Sequence, residues 1–106
     1  MERTVLLGFS QGGAMALHSG CSLPLAGVIS CSGYPHPDWQ AAERHPPVLA
    51  MHGQQDTIVP PTALEAITGR LQSDRCQTIS FNNGHTIPDE MVQPIQAFMK
   101  RALKKS

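Results

Sequence analysis

The fold is predicted first from one stretch of the sequence, Thr4-Val5-Leu6-Leu7-Gly8-Phe9-Ser10-Gln11-Gly12-Gly13. Its apolar first half is nearly continuous, which is typical of a strand buried on both faces of a parallel sheet. Compact and apolar residues over 11–19 then predict a short helix. Between the two lies G-x-S-x-G, formed by Gly8, Ser10 and Gly12. In this context the pattern predicts a nucleophile elbow, a sharp turn that holds a serine above the carboxyl edge of a sheet.

Three further apolar runs predict strands. The runs 26–31 and 47–52 are nearly continuous and are expected to be buried on both faces. The run 77–81 alternates apolar with polar residues, as an edge strand does.

Two further stretches predict helices. Thr62, with Glu65 three residues later, has the order of a capping box. Leu64, Ile67 and Leu71 would form one apolar face of that helix.

The last helix is predicted within 88–105, where Pro94 should kink the helix or delay its start. The proline-rich segment 35–47 holds Trp39 and is predicted to run over the surface, with one weak helical turn near 40–43. The buried stripe of the last helix is predicted to comprise Met91, Ile95, Phe98, Ala102 and Leu103.

The order of elements predicts an α/β fold. Strands and helices alternate at a spacing typical of right-handed parallel βαβ units. We therefore expect about four parallel strands with helices on both faces, in a single domain over 1–106.

Composition excludes several classes of protein. The 106 residues carry no formal net charge and only 15% charged residues, so nothing indicates binding to nucleic acid or to an anionic membrane. No apolar run approaches the length of a membrane span, and the run near the N-terminus is too short for a signal peptide. We expect a cytoplasmic protein. The odd, widely spaced cysteines Cys21, Cys31 and Cys76 favour buried or half-buried thiols over disulfides.

Ser10 is the candidate nucleophile. The elbow forces this serine into a strained backbone conformation, and Gly8 and Gly12 are expected to lack a side chain because a Cβ would collide there. The N–H of Gln11 would point to the place where an oxyanion forms, supported by the positive end of the helix. The plainer alternative is a glycine-rich turn with an incidental serine.

Asp56 and His85 are the candidate partners of Ser10. A serine needs a base and an orienting acid, and behind an elbow of this kind the chain order is Ser, then Asp or Glu, then His. Asp56 is the only acid in the loop after the third predicted strand, and His85 follows the fourth. A turn-forming Asp and a surface His are the alternatives, but all three residues fall in the required order.

The other histidines indicate no further site. His52 lies at a strand end and is expected to pack against the Asp56 loop, whereas His18, His36 and His45 are expected on helix surfaces or loops. Metal binding would need three convergent ligands, and no such spacing is present, so we expect neither a metal nor a cofactor. A nucleotide-binding unit is disfavoured because G-x-G-x-x-G is absent.

Three segments together resemble a known family. Phe-Ser-Gln-Gly-Gly at 9–13, His-Gly-x-x-Asp-x-x-Val-Pro at 52–60 and Gly-His at 84–85 are similar to the phospholipase/carboxylesterase group of α/β-hydrolases, which includes the acyl-protein thioesterases. The resemblance implies hydrolysis of acyl esters or thioesters without a cofactor. It implies Ser10 as nucleophile, His85 as general base and acid, and Asp56 as the carboxylate that orients the imidazole.

Members of that family are roughly twice as long, so the resemblance covers their C-terminal half. The chain is expected to be a fragment, a truncated gene product or a minimal relative. The loop that normally supplies a second oxyanion N–H lies in the other half. A catalytically weak or inactive module that acts by association is therefore the alternative to an active hydrolase. The first strand would be exposed at the sheet edge and could form a homo-oligomer.

Overall fold

The computed structural model describes residues 3–36, 39 and 45–104, and its centre is one sheet of four strands. All neighbouring strands pair in parallel, and their spatial order follows the chain, β1-β2-β3-β4. The predicted parallel α/β fold is confirmed. The strands are β1 (Val5–Phe9), β2 (Gly27–Cys31), β3 (Val48–Gly53) and β4 (Cys76–Phe81).

Helices cover both faces of the sheet. Helices α1 (Gln11–Gly20) and α2 (Thr62–Thr68) pack on one face, and α3 (Val92–Lys104) packs on the other. Successive residues of the central strands point to opposite faces, so each strand contributes to two cores. The α1/α2 core contains Ala16, Leu17, Cys21, Val28, Trp39, Val48, Ala50 and Ile67. The α3 core contains Ala26, Ile29, Cys31, Leu49, Met51, Phe81, Phe98 and Ala102.

The start of α2 differs from the prediction. Pro61 precedes the helix with φ −59° and ψ −20°, and no side-chain hydrogen bond caps the helix. Because the proline ring already fixes a helical φ, the turn begins early and Thr62 lies inside the helix instead of capping it. The capping-box prediction is wrong. The predicted apolar face is confirmed, since Ile67 is buried and Leu64 and Leu71 pack beside it.

Pro94 delays the start of α3, as predicted. A 3₁₀ turn at Asp89–Met91 comes first, and Pro94 is then the third residue of the α-helix. A proline is tolerated there because the first N–H groups of a helix have no intrahelical acceptor. The predicted stripe is confirmed, with two residues buried and three packed partly against the core: Phe98, Ala102, Met91, Ile95 and Leu103.

Trp39 shows where the prediction for 35–47 is wrong. Its side chain is only 3% exposed and belongs to the α1/α2 core. The Arg70 guanidinium donates to the carbonyls of His36 at 2.9 Å and Trp39 at 2.8 Å, so the segment is held against the end of α2. The helical turn predicted near 40–43 lies outside the described residues.

His45, expected at the surface, is 1% exposed. Its Nε2 accepts a hydrogen bond of 2.9 Å from the Gln72 N–H, and its carbonyl accepts one of 3.0 Å from Arg75. The surface prediction is wrong for this residue because polar groups from the α2–β4 connection satisfy it in the interior.

The outer edge of β1 is open, as predicted. Among the described residues, β1 pairs only with β2. Leu7 is 46% exposed and Phe9 is 37% exposed, and no residue of β1 is fully buried. The burial on both faces that the apolar run predicts is therefore wrong for β1, because this strand lies at the edge of the sheet, whereas it is confirmed for β2 and β3. Within the described part of the chain, no helix is both long and apolar enough to cross a membrane.

Candidate active site

Ser10 occupies a strained turn between β1 and α1. Its φ of 58° and ψ of −118° lie in a region that residues with a side chain rarely adopt. Its N–H donates to the Cys31 carbonyl at 2.8 Å, and its carbonyl accepts from the Ala14 N–H at 3.1 Å. These bonds at the carboxyl end of the sheet hold a conformation that costs roughly 1–3 kcal/mol.

The glycines around Ser10 differ in their steric roles. A Cβ on Gly8 would lie 2.0 Å from the Gly12 carbonyl oxygen, which confirms the predicted collision. A Cβ on Gly12 would meet nothing within 4 Å, so the prediction is wrong for that residue in this chain. Gly13 is the tighter position, because its Cβ would lie 2.8 Å from Ser30 Oγ, where α1 crosses β2. The close helix–strand contact therefore depends on Gly13.

His85 connects Ser10 to Asp56. Its Nε2 lies 2.9 Å from Ser10 Oγ, and its Nδ1 lies 2.7 Å from Asp56 Oδ2. A carboxylate only accepts, so Nδ1 carries the proton and Nε2 is left to accept from the serine hydroxyl. The Phe9 ring lies against the imidazole, with 4.9 Å between centroids. The structure thus brings together the three residues that the sequence singled out.

The Asp56 carboxylate is buried and saturated with donors. Its Oδ1 accepts from the N–H groups of Ile58 at 2.9 Å and Val59 at 2.8 Å, while Oδ2 faces His85. Burial by itself raises the pKa of this carboxyl. The hydrogen bonds from His85, Val59 and Ile58 outweigh burial and hold the pKa below its ordinary value. Asp56 is therefore ionised at neutral pH.

The loops that carry Asp56 and His85 are joined to each other. The Gln55 N–H donates to the Asn83 carbonyl at 3.0 Å, and the Gln55 side-chain amide donates to Asn82 Oδ1 at 2.9 Å. A Cβ on Gly53 would lie 2.4 Å from the Asn83 oxygen, so the loops approach closely only because Gly53 lacks a side chain. Gln55 and Asn82 were not predicted; the sequence marks them only by position, Gln55 directly before Asp56 and Asn82 three residues before His85.

His52 packs against the Asp56 loop, as predicted. Its Nε2 lies 2.8 Å from the Val59 carbonyl and 3.3 Å from Asp56 Oδ2. His18 and His36 are exposed, as expected. Their rings lie edge to face, 5.2 Å apart.

The Gln11 N–H adjoins Ser10 at the start of α1. It is one of the first N–H groups of the helix, which have no intrahelical acceptor and lie at the positive end of the helix dipole. Such a group is able to stabilise negative charge beside the serine.

Other reactive groups do not compete with Ser10. Burial raises the pKa of the Cys21 thiol to about 12 and that of the Cys31 thiol to about 11, so both are protonated and inert at neutral pH. Cys76 is half-buried, and burial raises its pKa as well. No group of three or more potential metal ligands occurs within residues 3–36, 39 and 45–104.

A sequence model of the phospholipase/carboxylesterase family matches residues 1–103. The chain belongs to this family of α/β-hydrolases. Acyl-protein thioesterase 1 of Gibberella zeae is 31% identical, over 96% of this chain and 49% of that protein.

Solved structures share the fold of this family member. The crystal structure of Arabidopsis thaliana SOBER1 matches with a TM-score of 0.83 and 29% identity, over 96% of this chain and 54% of the other. That of esterase PE8 matches with a TM-score of 0.82 and 33% identity, over 94% and 50%. The chain thus spans about half the length of the relatives it matches.

Proposed function

We propose that this chain carries the Ser-His-Asp machinery of a hydrolase that cleaves carboxylic esters or thioesters of acyl substrates. The observation that supports this is the continuous hydrogen-bonded chain from Ser10 Oγ through His85 to Asp56. Ser10 is the nucleophile, His85 the general base and acid, and Asp56 the carboxylate that orients the imidazole. Membership of a hydrolase family supports the same reaction class.

The first half of the reaction forms an acyl-serine. Ser10 Oγ attacks the carbonyl carbon while its proton passes to His85 Nε2. The bond from the acyl carbon to the ester oxygen or thioester sulfur then breaks, and His85 returns the proton to that oxygen or sulfur, which leaves as an alcohol or thiol. Asp56 remains ionised and stabilises the imidazolium that forms between the two transfers.

The second half releases the acid. Water attacks the acyl carbon, His85 accepts a proton from that water, and the bond to Ser10 Oγ breaks as the proton passes to the serine oxygen. The products are a carboxylic acid and the free serine, so no cofactor is needed.

Gln11 supplies one oxyanion donor in this proposal. Its N–H faces the negative charge that develops on the former carbonyl oxygen. The second donor of this family is expected in the half that the chain does not span. Loss of one such donor typically slows catalysis by about 10²–10³-fold. We therefore expect slow turnover from the 106-residue chain on its own.

The substrate class follows from the relatives' names. One relative is an acyl-protein thioesterase and another an esterase, so acyl thioesters and esters are the substrates we propose. The cytoplasm is the compartment we expect from the sequence.

Hydrolysis of a short p-nitrophenyl ester and of an acyl thioester tests this function. We expect turnover below about 1 s⁻¹ for the isolated chain, and an increase when the N-terminal half of a full-length relative is added. Ser10→Ala should abolish both activities. The matched control is Ser19→Ala, because Ser19 is an exposed serine on α1, the helix that follows Ser10, and its substitution should leave turnover unchanged.

Turnover that survives Ser10→Ala would contradict the proposal. A folded chain without activity, both alone and with the added half, would favour the alternative of a module that acts by association.

A further inference from the structure

His52 closes the loop that presents Asp56. It is the fifth residue of β3 and is buried. Its Nε2 lies 2.8 Å from the carbonyl oxygen of Val59, seven residues later. A carbonyl oxygen only accepts, so Nε2 carries the proton and donates it to Val59.

The same Nε2 lies 3.3 Å from Asp56 Oδ2, the oxygen that His85 contacts at 2.7 Å. Oδ2 therefore faces two imidazoles, one on the Ser10 side and one on the interior side. The hydrogen bond of His52 Nε2 goes to Val59, so its ring lies beside the carboxylate and acts on it through Val59.

Val59 joins the two sets of contacts. Its carbonyl accepts from His52, and its N–H donates to Asp56 Oδ1 at 2.8 Å. Movement of the His52 ring would therefore shift Val59 and, through it, the carboxylate. His52 is thus linked to Asp56 through Val59.

Packing alone does not account for a histidine here. Its Nδ1 is buried and has no hydrogen-bond partner among the described residues. An unpartnered buried polar atom costs free energy that a phenylalanine ring of similar size would avoid. What histidine supplies here and phenylalanine would not is the hydrogen bond from Nε2–H to the Val59 carbonyl.

We propose that His52 is a positioning residue, which through its Nε2–H holds the Asp56 carboxylate where Oδ2 can accept a hydrogen bond from His85 Nδ1. This inference rests on the proposed function, because the position of the Asp56 carboxylate affects labelling only if Asp56 orients His85 as the base.

The test is the second-order rate at which a fluorophosphonate labels Ser10 in the intact chain. His52→Phe keeps a ring but removes the donor, and we expect about tenfold slower labelling, the lower end of what loss of an orienting hydrogen-bond partner costs at metal sites. His52→Gln places an amide N–H the same number of bonds from Cβ and should restore part of the rate. His45→Phe is the matched control, since His45 is equally buried but its ring bonds the Pro46 carbonyl and the Gln72 N–H, away from the candidate site. Thermal unfolding of each variant establishes that it is folded.

Labelling at the wild-type rate in folded His52→Phe would overturn the inference. Equal slowing in His52→Gln and His52→Phe, or in His45→Phe and His52→Phe, would also overturn it, because ring packing or general loosening would then explain the effect. Absence of Ser10 labelling in the wild type would instead refute the proposed function.

A measurement on the wild type covers the case in which His52→Phe does not fold. The ¹⁵N chemical shifts of the His52 ring report which nitrogen carries the proton. We expect the proton on Nε2. A proton on Nδ1 with bare Nε2 would overturn the inference, because no donor would then face Val59 and Asp56.

Discussion

The carboxyl end of the sheet and the outer edge of β1 differ in how far their hydrogen-bonding groups are paired. At the carboxyl end, Ser10, His85 and Asp56 find their hydrogen-bond partners within the chain. At the outer edge, β1 has no partner strand among the described residues, and Leu7 is exposed beside it. The contacts that join the three candidate residues are therefore complete in this chain, whereas the outer edge of β1, the strand that leads into Ser10, is unpaired among the described residues.

This contrast separates two properties of a hydrolase, the reactivity of its serine and the rate of its turnover. Reactivity of the serine depends on contacts between three loops, all of which the chain contains. Rapid turnover also depends on a complete oxyanion site and on binding of the acyl chain. Because the chain spans about half of its relatives, we expect reactivity without full turnover.

Asp56→Asn should have the largest effect on the carboxyl end. An amide leaves the imidazole in the wrong tautomer, and we expect fluorophosphonate labelling of Ser10 to slow on the order of 10⁴-fold. Asp74→Asn, at an exposed position, is the control and should label normally. Labelling of Asp56→Asn within about tenfold of wild type would show that Asp56 does not orient the base.

Two glycine variants test whether the elbow itself is strained. Gly8→Ala places a Cβ against the Gly12 carbonyl and should lower the free energy of unfolding by more than about 3 kcal/mol. Gly12→Ala meets open space and should be neutral or stabilising by up to about 1 kcal/mol, since Ala favours a helix. Urea unfolding measures both, and equal effects of the two substitutions would refute this steric account.

The open outer edge of β1 leads us to predict that the chain associates with itself. Unpaired backbone groups on β1 should pair the 106-residue chain with a second copy, giving a dimer or larger species at concentrations on the order of tens of micromolar. Leu7→Lys adds a charge beside that edge and should shift the chain toward the monomer. Light scattering distinguishes the states, and a monodisperse wild-type monomer would contradict the prediction.

The smallest expected effect concerns stability in acid. The pKa of Asp56 lies below its ordinary value of 3.8 in the folded chain, so the folded state binds this proton more weakly than the unfolded state. The resulting stabilisation is present above about pH 4 and is lost as the pH falls through the folded pKa. Urea unfolding at a series of pH values should show a steeper acid loss for wild type than for Asp56→Asn. Parallel curves would contradict the lowered pKa.

Local patterns were enough to predict the strands, the elbow and the order of the three candidate residues. Each depends on neighbours in sequence, such as the glycines around Ser10 or the apolar run before Asp56. Trp39 and His45 were misplaced because their burial depends on Arg70, Arg75 and Gln72, which lie some thirty residues away. The capping box failed for a local reason, since the helical φ of Pro61 starts the turn before Thr62.

The candidate active site likewise combines features that local patterns predict with contacts between distant residues that they do not. Ser10, Asp56 and His85 are recognisable from motif and order, but the contact of His52 with Asp56 and the bridge from Gln55 to Asn82 depend on how loops fold back. A single sequence carries no signal for such contacts beyond proximity to the motifs. The unequal roles of Gly12 and Gly13 likewise depend on where α1 crosses β2.

If the hydrogen bonds from Ser10 through His85 to Asp56 make Ser10 the reactive serine, a fluorophosphonate should attach to Ser10. The folded chain is treated with the probe, and the adduct is mapped by mass spectrometry in wild type and in Ser10→Ala. We predict one adduct, on Ser10, that is lost in the variant. Labelling of another residue, labelling that persists in Ser10→Ala, or no labelling of the folded chain would refute the assignment of Ser10 as the nucleophile.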